Sequence, residues 1–157
     1  MQYLIMCIGN RDGGDDSIGP YIADKLVSEN LENIKIIESG TVPENYTSVV
    51  KREKPETLII IDAVEMGIAP GEIRIVPKDK IGVMTISTHG IPISVLIGYL
   101  EQYVKDIIFI GIQPKGMSGE LTSIVRESGD RLIKIFKESK LKTIKILNWV
   151  DRIWILK

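Results

Sequence analysis

Two aspartates and the chain's single histidine stand where apolar runs give way to polar loops. Asp16 follows the run 3–8 and opens an amphipathic segment. Asp62 terminates the run 57–61, and His89 precedes a further amphipathic segment that starts near Pro92. Carboxylate oxygens and an imidazole nitrogen are ligands for a divalent cation such as nickel, zinc, manganese or iron. Taken singly, each residue has a plainer use. Asp16 can cap a helix or face its dipole, with Asp15 and Ser17 as rival caps. Asp62 can accept backbone hydrogen bonds, and His89 can be an ordinary polar residue. What favours a shared site is that all three map to the same edge of one sheet.

The elements that must position them follow from periodicity. Residues 3–8 form a continuous apolar run, as a strand buried on both faces would. Ile18, Tyr21, Ile22 and Leu26 fall on one helical face. A strand is expected over 34–37, closed by Glu38-Ser39-Gly40. Thr41 and Glu44 fit a capping box, with Pro43 in the first turn of a helix that stops before Pro55. The cleanest buried strand is 57–61. Residues 72–76 alternate polar and apolar, as an edge strand does. Ser87, Thr88 and His89 fall on a loop or short strand, followed by a helix over 92–104 and a buried strand over 107–112. The strongest amphipathic helix spans 120–136, with Leu121, Ile124, Val125, Leu132, Ile135 and Phe136 on one side and Gly129 inside it at some cost. In the tail, Ile146, Trp149, Val150 and Ile153 suit a helix face, while the end containing Trp154 reads as a strand. Strands alternating with helices predict one α/β domain over 1–157. It is a three-layer α/β/α sandwich with a mostly parallel sheet and right-handed crossovers. In such sheets the site lies at the carboxyl ends of the strands.

Other chemistries lack their motifs. The sequence holds no HExxH, no GxSxG elbow and no second histidine, which argues against a thermolysin-type metalloprotease and a serine triad. GNRDGG after the first run is neither GxGxxG nor a Walker loop, and its acids repel phosphate. Cys7, the only cysteine, reads as a small core hydrophobe. A lone cysteine forms no internal disulfide, which fits a reducing, cytoplasmic setting. Twenty basic residues against 21 acidic ones leave a net charge of −1, which offers no footprint for nucleic acid. The apolar start lacks a basic n-region and reads as a strand, not a signal peptide. No stretch reaches the ~18 apolar residues of a membrane span.

Gly9-Asn10, then Asp15-Asp16, then Gly19-Pro20 resemble the opening signature of the hydrogenase maturation endopeptidases. Asp62-Ala63 resembles the family's second signature, Ser87-Thr88-His89 its third, and Gly111-Ile112-Gln113-Pro114 with Gly119 and Leu121 a later stretch. The similarity covers residues 1 to about 138. It is greatest to the branch serving formate-hydrogenlyase-type and related archaeal complexes. The resemblance implies an α/β/α fold and a substrate, the precursor of a nickel–iron hydrogenase large subunit, whose C-terminal extension is removed after nickel insertion. It implies that Asp16, Asp62 and His89 bind metal, and that the metal is the substrate's nickel rather than a cofactor of the protease. Glu38 stands where relatives often carry an aspartate before glycines, and it is the candidate general base. Two further readings of the residues stay open: a hydrolase carrying its own zinc, and a non-catalytic nickel-sensing module. The tail beyond residue 140 has no counterpart in the resemblance.

Overall fold

A computed structural model describes residues 3–82 and 90–148. Ser87, Thr88, His89, Trp149 and Trp154 lie outside the described residues. The first apolar run forms β1 (Tyr3–Ile8). Leu4, Met6 and Ile8 face one layer and Ile5 and Cys7 the other, all fully buried. A strand apolar at every position needs cover on both sides, which places it inside a sheet. The same holds for β3 (Thr57–Ala63), where Leu58 and Ile60 face one layer and Ile59 and Ile61 the other.

With β2 (Ile34–Gly40), β4 (Ile73–Ile75) and β5 (Asp106–Ile112), these strands make a sheet of order β2-β1-β3-β5-β4. The first four are parallel neighbours, and β4 runs antiparallel to β5. Helices α1 (Ile18–Glu29) and α5 (Ser123–Lys137) cover one face through Ile18, Ile22, Val125 and Leu132. Helices α2 (Thr47–Glu53), α3 (Lys78–Ile81) and α4 (Ile93–Leu100) cover the other through Val50, Ile81, Leu96 and Leu100. This is the three-layer sandwich with a mostly parallel sheet that the sequence predicts. Gly129 has a reason as well. A Cβ there would stand 2.7 Å from Ile18 Cδ1 and 3.3 Å from Tyr21 Cδ1, so its absence lets α5 press against α1.

Four local expectations are corrected. Thr41 and Glu44 form no capping box: a 3-10 turn over Pro43–Tyr46 comes first, the α-helix starts only at Thr47, and neither has a side-chain cap. β2 runs through Glu38 and Ser39 to Gly40 instead of ending at 37, because parallel pairing with β1 continues that far. α4 stops at Leu100, where the amides of Tyr103 and Val104 both turn back to the Leu100 carbonyl and deliver Val104 to the core. The described part of the tail is not a helix carrying Ile146 on its face. After a 3-10 turn over Leu141–Thr143, Ile146 bridges Ile75 in parallel. The Ile75 amide donates to the Lys145 carbonyl and the Leu147 amide to the Ile75 carbonyl, both at 2.8 Å. Leu147 is buried against the core while Ile146 stays exposed, because extended backbone alternates its faces.

Candidate active site at the strand switch point

The winding of the sheet reverses between β1 and β3. From β1 the chain moves outward to β2, then returns to the far side of β1 as β3. The connections leaving the carboxyl ends of β1 and β3 therefore diverge and open a crevice between them, where α/β proteins bind ligands. Asp16 comes from the loop after β1, and Asp62 from the last turn of the pleat in β3. The 3-10 turn Gly14–Ser17, which carries Asp16, packs against β3.

Two glycines make that approach sterically feasible. A Cβ on Gly19 would overlap the Ile8 carbonyl oxygen, and one on Gly9 would overlap the Asp16 carbonyl oxygen. Only glycine lets the start of α1 lie this close to the end of β1. None of the predicted caps forms for α1. Ser17 is the N-cap residue but makes no side-chain cap bond, and its hydroxyl donates to the Gly14 carbonyl instead.

Asp15 and Asp16 are consecutive and both buried, yet they face different neighbours. Asp15 is a latch. Its Oδ2 accepts from the Lys115 and Gly116 amides at 2.8 and 2.9 Å, and its Oδ1 from the Thr122 amide and hydroxyl at 2.8 Å. Burial pushes its pKa up. The backbone donors of Gly116, Thr122 and Lys115 and the Thr122 hydroxyl more than offset this, leaving it below the ordinary 3.8. The loop 115–122 is thereby pinned to the turn that carries Asp16. Sequence reading gave Asp15 only a capping role, and its partners lie about a hundred positions away, beyond any local signal.

Asp16 Oδ2 accepts from the Asn10 amide at 2.9 Å. Its Oδ1 is buried and accepts no hydrogen bond among the described residues. A buried carboxylate oxygen without a donor is costly, and it is the atom that a cation would satisfy. Asp62 is fully buried and shares the α2/α4 face of β3 with Leu58 and Ile60. Past it, Gln113 fixes the exit of β3: its Oε1 accepts from the Met66 amide at 2.7 Å and its Nε2 donates to Glu65. The fold thus brings Asp16 and Asp62 to one crevice. The third predicted ligand, His89, falls outside the described residues, and among those residues no group of three potential ligands assembles.

Glu38 lies elsewhere. It alternates with Ile37, so it faces the α1/α5 layer, opposite to Asp62. Arg11 donates to it through Nε and a terminal nitrogen, at 2.8 and 2.5 Å, and reaches Asp24 on α1 as well. The hydrogen bonds to Asp24 and then Glu38 raise the Arg11 pKa, so the guanidinium stays charged between the two acids. Cys7 is fully buried; burial first, then the charge of Glu38, pushes its thiol far above the range where a thiolate forms. It is the core hydrophobe that the sequence implies.

These features define an α/β/α protein with two buried carboxylates, Asp16 and Asp62, beside the switch point of its sheet. Residues 20–139 match the HycI model, described as hydrogenase maturation protease. The chain is 39% identical over 115 residues to the hydrogenase 3 maturation protease of Escherichia coli (strain K12), covering 73% of this chain and 74% of the relative. It is 37% identical over 154 residues to a putative hydrogenase maturation protease of Methanocaldococcus jannaschii, covering 89% and 91%. The solution structure of the endopeptidase HycI from Escherichia coli aligns with a TM-score of 0.86 at 32% identity, over 94% of this chain and 97% of that one. The crystal structure of the [NiFe] hydrogenase maturation protease HycI from Thermococcus kodakarensis aligns at 0.79 and 28%, over 88% and 92%. The chain belongs to the hydrogenase maturation protease family and is an endopeptidase.

Proposed function

We propose that this protease removes the C-terminal extension of a nickel–iron hydrogenase large-subunit precursor in the cytoplasm after nickel insertion. In this reading Asp16, Asp62 and His89 recognise the nickel that the precursor already holds. The observation that carries it is the buried Asp16 Oδ1, which has no donor among the described residues at a switch-point crevice. Nickel in the precursor is substrate here, and the protease supplies no metal of its own. Docking on it sets the adjacent peptide bond against fixed protein groups, which converts attack into an effectively intramolecular event. Bound nickel offers Lewis acidity toward a nearby carbonyl. Asp16 holds its second oxygen in place through the Asn10 amide, so the ligand geometry is set before the substrate arrives.

The test is mass spectrometry of a nickel-loaded precursor incubated with the protein, beside a nickel-free control. Loss of one defined C-terminal peptide from the loaded sample alone is the expected result. Asp16→Ala and Asp62→Ala are each expected to lose at least ~100-fold in cleavage rate, as removal of a site's electrostatic ligands commonly does. Calorimetric titration with nickel chloride is expected to show weaker binding in both variants. Wild-type cleavage by both variants would sink the assignment. Stoichiometric zinc in the purified protein would favour a self-contained hydrolase. Tight precursor binding without cleavage would favour a nickel-sensing module.

A further inference from the structure

One acid at the carboxyl edge of the sheet has no ion pair among the described residues. Glu44 sits on the 3-10 turn that follows the carboxyl end of β2. The residues after it, Tyr46, Val49 and Val50, pack into the α2/α4 layer, the layer that Asp62 faces. Glu44 Oε2 is buried and has no hydrogen-bond donor among the described residues. Its Oε1 lies 2.9 Å from where a Cβ on Gly90 would stand, and Gly90 directly follows His89 in the chain. The Glu44 carboxylate therefore lies beside the backbone at Gly90. Glu38 has the opposite character: it faces the other layer and is neutralised by Arg11.

The geometry points to Glu44, rather than Glu38, as the general base of the cleavage; this rests on the protease reading above. Glu44 follows the carboxyl end of β2 and Asp62 lies at the carboxyl end of β3, so both belong to the carboxyl edge of the sheet, on its α2/α4 side. In this assignment the scissile peptide and its attacking water lie between Asp16 and Asp62 on one side and Glu44 on the other. Glu44 takes a proton from the water as the water oxygen bonds to the scissile carbonyl carbon. The carbon–nitrogen bond then breaks, the proton passes to the leaving amine, and the carboxylate is regenerated.

The experiment compares wild type, Glu44→Gln, Glu44→Ala and Glu38→Gln on the nickel-loaded precursor, with single-turnover cleavage and precursor affinity measured separately. The expected result is a loss of about 100-fold or more in the single-turnover rate for both Glu44 variants. Precursor affinity and nickel binding are unchanged, and added formate or acetate partly restores Glu44→Ala. Rescue by an external carboxylate is a response that a purely structural residue does not give. Equal loss of affinity and rate, absence of rescue in a folded Glu44→Ala, or loss at Glu38→Gln with Glu44→Gln fully active overturns the proposal. If Glu44→Ala does not fold, Glu44→Gln decides through its ratio of rate to affinity. Wild-type protein that fails to cleave any nickel-loaded precursor removes the protease reading itself, and this assignment with it.

Discussion

Asp15 and Asp16 are chemically identical neighbours with separate duties, because the 3-10 turn points their side chains in different directions. Asp15 ties down a distant loop; Asp16 presents an oxygen to the crevice. Replacing Asp15 by Asn is expected to cost about 2 kcal/mol of unfolding free energy at neutral pH, the scale of hydrogen bonds to a charged acceptor. The pH dependence has a fixed sign. The folded pKa lies below 3.8, so on acidification the unfolded chain takes up the proton first. The stabilisation is complete above that ordinary value and is lost as pH falls from there through the lower folded value. Thermal melts should therefore show a gap between wild type and Asp15→Asn at pH 7 that narrows below about pH 3.8. A gap independent of pH would show that the charge is not what the loop amides bind. Sequence reading located Asp16 and Asp62 at the correct strand ends, because the carboxyl-edge rule needs only the order of elements. It could not assign Asp15 or Glu44. The first depends on amides about a hundred positions away, and the second on how a 3-10 turn displaced a local cap.

At the scale of elements, glycines set how closely layers and turns approach. The strand runs were legible because continuous burial leaves an unmistakable apolar signature, and all five strands begin within one residue of the expected start. Helix starts were less legible: Ser17, Tyr46 and Thr122 all act as N-cap residues without a side-chain hydrogen bond. Two of these helices continue a 3-10 turn, and the Thr122 hydroxyl is already committed to Asp15, so propensity rules for caps fail there. Gly19→Ala drives a Cβ into the Ile8 carbonyl oxygen, part of a fully buried strand that cannot yield. The expected loss is more than ~3 kcal/mol, with the site disrupted as α1 is pushed away. Gly129→Ala meets mainly the end of the Ile18 side chain, which can turn aside. Strain there is offset by the better helix propensity of alanine, so the net loss expected is about 1 kcal/mol. Urea denaturation of the two variants should rank them in that order, and the reverse order would contradict the close approach of α1 to β1.

At the scale of the whole molecule, the reversal of winding places both carboxylates on one rim and leaves the other rim to structure. Among the described residues, no helix is long and apolar enough to cross a membrane. The class of fold was readable from alternation alone, but the tail was not. Its described part is extended because it answers a free strand edge, and edges leave no trace in the periodicity of the segment that covers them. Leu147→Ala should cost about 2–4 kcal/mol, as a fully buried leucine does. Light scattering should also show growth of larger species at raised concentration, and a strictly unchanged size would argue against a protective role. Ile75 and Ile146 stand about seventy positions apart in sequence, a separation that places their pairing late in folding. Until then β4 offers its outer amides and carbonyls to any strand that arrives first. The last contact to form is therefore a race between self-closure and a neighbour, and crowding or slow folding tilts that race toward clumping even when the finished protein is stable.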